Sequence, residues 1–300
     1  MVQRQAAMGQ LAGQRSLFVS DWRATRRKVV DYAMYGAVVL CAAVGVAILF
    51  LILLDVATKG LPAINWAFFT DRPLPLGEPG GGVAPAILGT LTMLIVASAI
   101  GVPVGVATAI YLAEYGHGSF ARTVSFVIDM MAGLPSVVVG VFVWTWLVRT
   151  VMGSFSGLAG GVALAIIMIP IVTRTVEEML RLVPDTYREA ALGLGVSRAK
   201  TILFIVLPTA KGGIVTGCVL AMARAGGETA PLILTALGNN FFQFSLTEPM
   251  AALPLQIYQY ATSPYADWHT KAWGSALVLI VVIGALSMLT RLATRQANLR

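Results

Sequence analysis

A chain of 300 residues that is 57% apolar, with a mean hydropathy of +0.80 and only 12% charged residues, is no soluble domain, since globular chains carry roughly 25% charge. A bilayer-crossing helix takes about 20 mostly apolar residues, so this composition accommodates about five to seven crossings. The formal net charge of +7, which in a soluble protein would suggest nucleic acid, reads here as anchoring to one membrane face.

Residues 1–30 are polar and basic, with Arg4, Arg15, Arg23, Arg26, Arg27 and Lys28 set against Asp21. The apolar run 32–54 is longer than a signal-peptide core, and no A-x-A-like site closes it, so it is read as a retained first span. Further apolar runs at 84–112, 124–148, 157–173, 212–237 and 273–290 predict six spans. Two long loops separate them: 55–83, rich in Gly and Pro, and 238–272, which is aromatic. With the N-terminus inside, 15 of the 21 basic residues fall on the cytoplasmic side, which predicts that both termini are cytoplasmic.

Small residues recur four apart, at Gly101 and Gly105, Gly157 and Gly161, and Gly213 and Gly217, a spacing that lets helix backbones approach closely. Pro103, Pro135, Pro170 and Pro231 lie in or beside spans and each removes a helix hydrogen bond, so a bent bundle is expected. Cys41 and Cys218 sit inside apolar runs and are read as small buried hydrophobes. There is no G-x-x-x-x-G-K-[ST] loop, no H-E-x-x-H and no G-x-S-x-G, so neither ATP hydrolysis nor catalysis is expected of the chain, and no metal site is.

The loop after the fourth run has its own architecture. Thr186 and Glu189 stand in capping-box spacing, predicting a short helix capped by Thr186. Gly193 and Gly195 interrupt it, and Ser197 is placed to cap a second helix through Leu207 that Pro208 ends or bends. Any cytoplasmic loop can hold such a helix pair. The full pattern, however, is Glu189-Ala190-Ala191, three residues, Gly195, nine residues, Ile205, one residue, Leu207-Pro208. It resembles the EAA signature of permease subunits of binding-protein-dependent ABC importers. That resemblance implies that the loop docks on a separate ATPase subunit, which accounts for the missing phosphate loop.

Charges inside a membrane cost about 2.5–3.5 kcal/mol on insertion scales and are functional candidates. The fifth run carries Arg224, placed about midway through it, and Glu228 one turn on. Either they neutralise each other as an i,i+4 pair or a third charged partner is present. The order Arg before Glu is the weaker one for such a pair. Arg174 ends the fourth run and either snorkels to the headgroups or pairs with Glu177 or Glu178.

These stretches, together with 105–115, 133–136, 174–185 and 223–232, are similar to PstA permease subunits of phosphate-specific (Pst) importers, from about residue 30 to the end. The first 28 residues have no recognisable counterpart. The resemblance implies an all-α integral membrane fold with six transmembrane helices, the type I ABC importer permease fold with a cytoplasmic EAA coupling helix. It divides the chain into a basic tail (1–28), a first transmembrane helix (29–56) and a five-helix permease core (84–296). In that family, arginines matching Arg174 and Arg224 are implicated in phosphate passage; Glu228 is added here as a filter. The implied partners are a PstC-like second permease, a PstB-like ATPase dimer carrying ATP and Mg, an extracytoplasmic PstS-like phosphate-binding protein and membrane lipid, with no cofactor in this chain. The rival readings are a permease for another oxyanion or polar solute, a stand-alone secondary transporter or channel, and a scaffold that senses phosphate.

Overall fold

The computed structural model describes residues 21–75, 78 and 80–297. Residues 1–20, the larger part of the basic tail expected at 1–28, and residues 298–300 lie outside the described part. The chain divides at Asp55 into two compact units. Helix α1 (Asp21–Gly60) supplies the first, and its side chains from Thr25 to Leu54 are exposed. That is the surface of a helix whose apolar side chains are meant for lipid. Cys41 accordingly is exposed there, and Cys218 is only half-buried, so neither is the core residue that its apolar surroundings suggested.

The second unit begins with a short helix α2 (Trp66–Thr70), started by Asn65, whose Oδ1 accepts from Phe68 N at 2.8 Å. Then come α3 (Ala84–Ile110, prolonged as a π-helical segment Tyr111–Tyr115), α4 (Gly118–Gly133) and α5 (Ser136–Val143, prolonged by a π segment Trp144–Met152). Next are α6 (Gly157–Arg181), α7 (Asp185–Gly193) and α8 (Arg198–Thr201), which runs through a π segment Ile202–Val206 into α9 (Leu207–Gly226). The chain closes with α10 (Ala230–Thr235), α11 (Leu253–Ala261) and α12 (Ala266–Ala297).

Five of the described helical stretches are long and apolar enough to cross a membrane, or six if a bent pair counts as one. The bent pair corrects the third expected span. Residues 118–133 and 136–152 meet at 103° instead of forming a straight rod. Leu134-Pro135 makes the corner, because Pro135 (φ −59°, ψ 135°) cannot donate to the preceding turn and disfavours helix in the residue before it. Pro103 and Pro170, by contrast, are carried inside continuous helices.

The core is the pairing of α3 with α6. A Cβ on Gly105 would lie 2.8 Å from Val172 Cβ, and one on Gly101 3.2 Å from Ala165 O, so the glycines set the distance between the helices. Thr173 Oγ1 closes the contact by donating to Gly105 O at 3.3 Å. On its other side α6 receives α9, where Gly213 faces Met179 and Gly217 faces Thr175. The four-residue glycine spacing is thus used for packing. The start of α6 is capped three times: Ser156 Oγ accepts from Ala159 N at 3.1 Å, while Gly157 N and Leu158 N donate to Glu248 O and Leu246 O at 3.0 and 2.8 Å. These satisfy N–H groups that helix geometry leaves without partners, and they tie the 236–250 loop to the bundle.

Candidate transport site and coupling loop

Helix α9 corrects the reading of the fifth span. Its ladder starts at Arg198, through α8 and the π segment, and not at residue 212. Pro208 does not end it. Leu207 N donates to Ile202 O, five residues back, and the widened turn carries the chain past the proline that lacks an N–H. Because the helix ends at Gly226 instead of running on to residue 237, Arg224 falls in the last turn of α9 and not midway along a continuous helix.

The helix then unwinds. Gly227 N and Glu228 N make tight turns to Arg224 O and Ala225 O at 3.2 and 3.1 Å, and the chain re-enters helix only at Ala230. Glu228 therefore leaves the face that carries Arg224, and the two form no ion pair. Arg224 is exposed and has no ion-pair partner among the described residues, so neither the i,i+4 pair nor a third charge among them neutralises it. The break lies within the bundle: a Cβ on Gly226 would touch Leu94 of α3 and Ile283 of α12, both interior residues of long spans, at 3.2 and 3.4 Å. Unwound backbone at such a level is tolerated where protein or water meets it, and a cation suits the negative end of a helix dipole.

Arg174 is placed quite differently. From α6 its Nε donates to Asp129 Oδ1 (2.9 Å), its Nη1 to Glu177 Oε2 (2.8 Å), and its Nη2 to Ser125 O and Oγ (2.9 and 2.6 Å). Glu177, buried, also holds Arg181 at 2.8 Å. Of the two acids offered from sequence, Glu177 pairs with Arg174, whereas Glu178 is exposed and does not. Asp129 and Ser125 were missed. The signal was present, because Asp129 is a lone acid inside the apolar run 124–148, and an acid there calls for a cation.

In the EAA loop the short helix exists but starts two residues early. It begins at Asp185 after Pro184, so Thr186 lies within the first turn and cannot cap, and Glu189 has no capping role. The elbow is Gly195 at φ +79°, with Gly195 N bonded to Leu192 O and Val196 N to Ala191 O at 2.9 and 3.0 Å, the paired bonds of a Schellman ending. Ser197 occupies the cap position of α8 without using its hydroxyl as a cap. Glu189 and Ala190 are exposed, whereas Ala191 is buried against its own chain and is not available to a partner as expected. Ile205 and Leu207 are half-buried in and just after the π segment, and Pro208 is exposed. Two arginines of the loop, Arg188 and Arg198, reach back to Glu114 at the end of α3.

Residues 101–298 match the family described as binding-protein-dependent transport system inner membrane component. The phosphate transport system permease protein PstA of Haemophilus influenzae is 42% identical over 272 residues, 90% of this chain and 94% of that protein. PstA of Xylella fastidiosa is 44% identical over 273 residues, covering 89% of this chain and 94% of its own. The chain belongs to this permease family, in its PstA branch. Solved structures agree on the fold. A chain of the inward-facing MetNI methionine ABC transporter superposes with a TM-score of 0.62 at 19% identity over 72% of this chain and 95% of its own. A bacterial alginate ABC transporter chain gives 0.64 at 15% identity over 92% and 98%. The permease thus has the type I ABC importer architecture and is a multi-pass membrane protein.

Proposed function

We propose that this permease forms half of the path of an ATP-driven importer for inorganic phosphate. The observation that carries the reading is the exposed, unpaired Arg224 guanidinium at a helix break inside the bundle, in a chain whose relatives are named phosphate transport permeases. A guanidinium offers a planar fork that fits tetrahedral oxyanions and stays charged at any cellular pH. The site has to hold phosphate weakly enough to release it. Arg174, already bonded to two carboxylates and a serine, is the lesser contributor to such a path.

The assembly we infer pairs the 84–296 core with a PstC-like permease, seats the EAA loops on a PstB-like ATPase dimer, where ATP and Mg act, and receives phosphate from a PstS-like protein outside. Both termini, the basic segment 1–28 and the EAA loop face the cytoplasm in this reading, with 29–56 as the first span. Exposed Glu189 and Ala190 present the short helix to the ATPase, and Gly195, Ile205, Leu207 and Pro208 shape the turn that carries it into α9.

Reconstitution of the chain with these partners in proteoliposomes tests the proposal. Radiolabelled phosphate is expected to enter only with ATP and to resist competition by sulfate. Ion-driven uptake without the ATPase would favour a secondary transporter, and equal displacement by sulfate would favour a general oxyanion permease. Glu228 tests the filter separately. A carboxylate can accept a hydrogen bond from protonated phosphate but repels sulfate, which carries no proton. Glu228→Gln is expected to narrow the preference for phosphate, and an unchanged preference in the competition assay would discard the filter.

A further inference from the structure

Glu114 sits in the π segment that ends α3, only 4% exposed, in a sequence position far from the EAA loop. Its carboxylate receives Arg188 of α7 through Nη2 at 2.7 Å and Nε at 3.2 Å. The same guanidinium donates to Leu180 O and Val183 O, at 2.9 and 2.6 Å, and reaches Asp185 at 3.2 Å. The hydrogen bonds that the Arg188 guanidinium donates to Glu114 hold it above its ordinary pKa. Arg198, which opens α8, donates to the backbone carbonyl of Glu114 and lies 5.0 Å over the ring of Tyr115. Helix α7 is joined to α6 and α8 by the chain itself. Its tie to the end of α3 is made by side chains that meet at one buried carboxylate.

We propose that Glu114 is a positioning residue for energy coupling: it fastens the EAA helix to α3, so that a displacement of α7 is passed to the helix that packs along α6 in the core. The inference rests on the reading of α7 as the ATPase contact. A bonded, buried carboxylate suits this task because a charge-assisted fork resists both sliding and rotation, and stranding either partner would be costly. The bonds from the same guanidinium to Leu180 O and Val183 O also fix the angle of α7 to the end of α6.

The test uses the full complex with its ATPase partner and compares the unaltered chain with Glu114→Gln. Hydrogen exchange is followed at residues 107–115 and 185–193 on adding a non-hydrolysable ATP analogue. Both segments are expected to respond in the unaltered complex, and only 185–193 in the variant. In proteoliposomes the variant is expected to hydrolyse ATP while phosphate carried per ATP falls about tenfold. Glu114→Asp, which keeps the charge on a shorter stem, is expected to fall between the two, and it carries the comparison if the Gln variant does not assemble. A joint response of both segments in the variants, or an unchanged ratio of uptake to hydrolysis, would overturn the proposal. Failure of the unaltered complex to take up phosphate would instead sink the assigned substrate. The exchange comparison, which needs no solute, would still decide the role of Glu114. If 185–193 shows no response in the unaltered complex, the ATPase contact and this inference both fall.

Discussion

Arg224→Gln is expected to cut ATP-dependent phosphate uptake by about a hundredfold while leaving the complex assembled and its ATPase subunits bound. A guanidinium that donates two charge-assisted hydrogen bonds to an oxyanion contributes about 3 kcal/mol, which corresponds to roughly two orders of magnitude. Nothing in the fold depends on that side chain: it is exposed, forms no ion pair among the described residues and lies in the last turn of α9. The EAA loop is at the other end of the α8–α9 stretch, so docking of the ATPase is untouched. Arg224→Lys keeps the charge without the fork and should retain part of the uptake. Labelled-phosphate uptake read beside size-exclusion of the complex separates the outcomes. Wild-type uptake by the Gln variant would remove Arg224 from the path, and loss of assembly would make it a structural residue. A variant that assembles, does not transport and still regulates gene expression would support the sensing role.

Much of this architecture is written in the sequence as hydropathy. The apolar runs give the spans, and the spacing of Glu189, Ala190, Ala191 and Gly195 gives the elbow, because Gly195 at φ +79° is a local backbone requirement. What hydropathy does not carry is where a helix passes through polar residues. Hydropathy starts the fifth run at residue 212 because Pro208 and Lys211 separate it from the short helix expected after Ser197, yet the π segment lets one helix run from Arg198 to Gly226. The face expected to carry both Arg224 and Glu228 is lost at the other boundary, where α9 ends at Gly226. A proline read as a terminator is also ambiguous: Pro135 turns the chain by 103°, whereas Pro103 and Pro170 stay inside helices. Only packing on the neighbouring helix decides between them.

Long-range ion pairs are the second blind spot. Arg174 and Asp129 stand 45 residues apart, and Arg188 and Glu114 stand 74 apart, so no local spacing connects them. The i+3 pair of Arg174 with Glu177 was open to sequence reasoning because both lie on one helix face. Burial decided between Glu177 and Glu178, and burial comes from α6 facing α3. The capping of α7 failed for a local reason instead. Pro184 takes the cap position (φ −59°, ψ 140°) and Asp185 the first turn, where a negative charge favours the dipole; Thr186 is then two residues past the cap.

The contrast between the two membrane arginines leads to the second large effect. Arg174→Gln is expected to destabilise the permease by about 2 kcal/mol, and adding Glu177→Gln is expected to restore part of that loss. The single change removes four hydrogen bonds, of which three, to Asp129, Ser125 O and Ser125 Oγ, join α6 to α4 and the fourth goes to Glu177 on α6 itself. It also leaves the buried Glu177 carboxylate with only Arg181, whose side chain is 63% exposed. Breaking a buried pair costs about 3–5 kcal/mol, and the remaining arginine and the partial exposure of Arg174 reduce that here. Neutralising Glu177 takes the stranded charge away, so the double variant should be more stable than the sum of the single losses by about 1 kcal/mol, within the range found for residues in contact. Arg174→Lys cannot reach all three residues with one ammonium and should behave more like Gln than like Arg. Thermal unfolding of the detergent-solubilised complex, run as a four-member cycle, gives the coupling directly. Additive losses would mean that Arg174 is not a strut between α4 and α6. A transport loss in Arg174→Gln with unchanged unfolding would return it to the phosphate path beside Arg224.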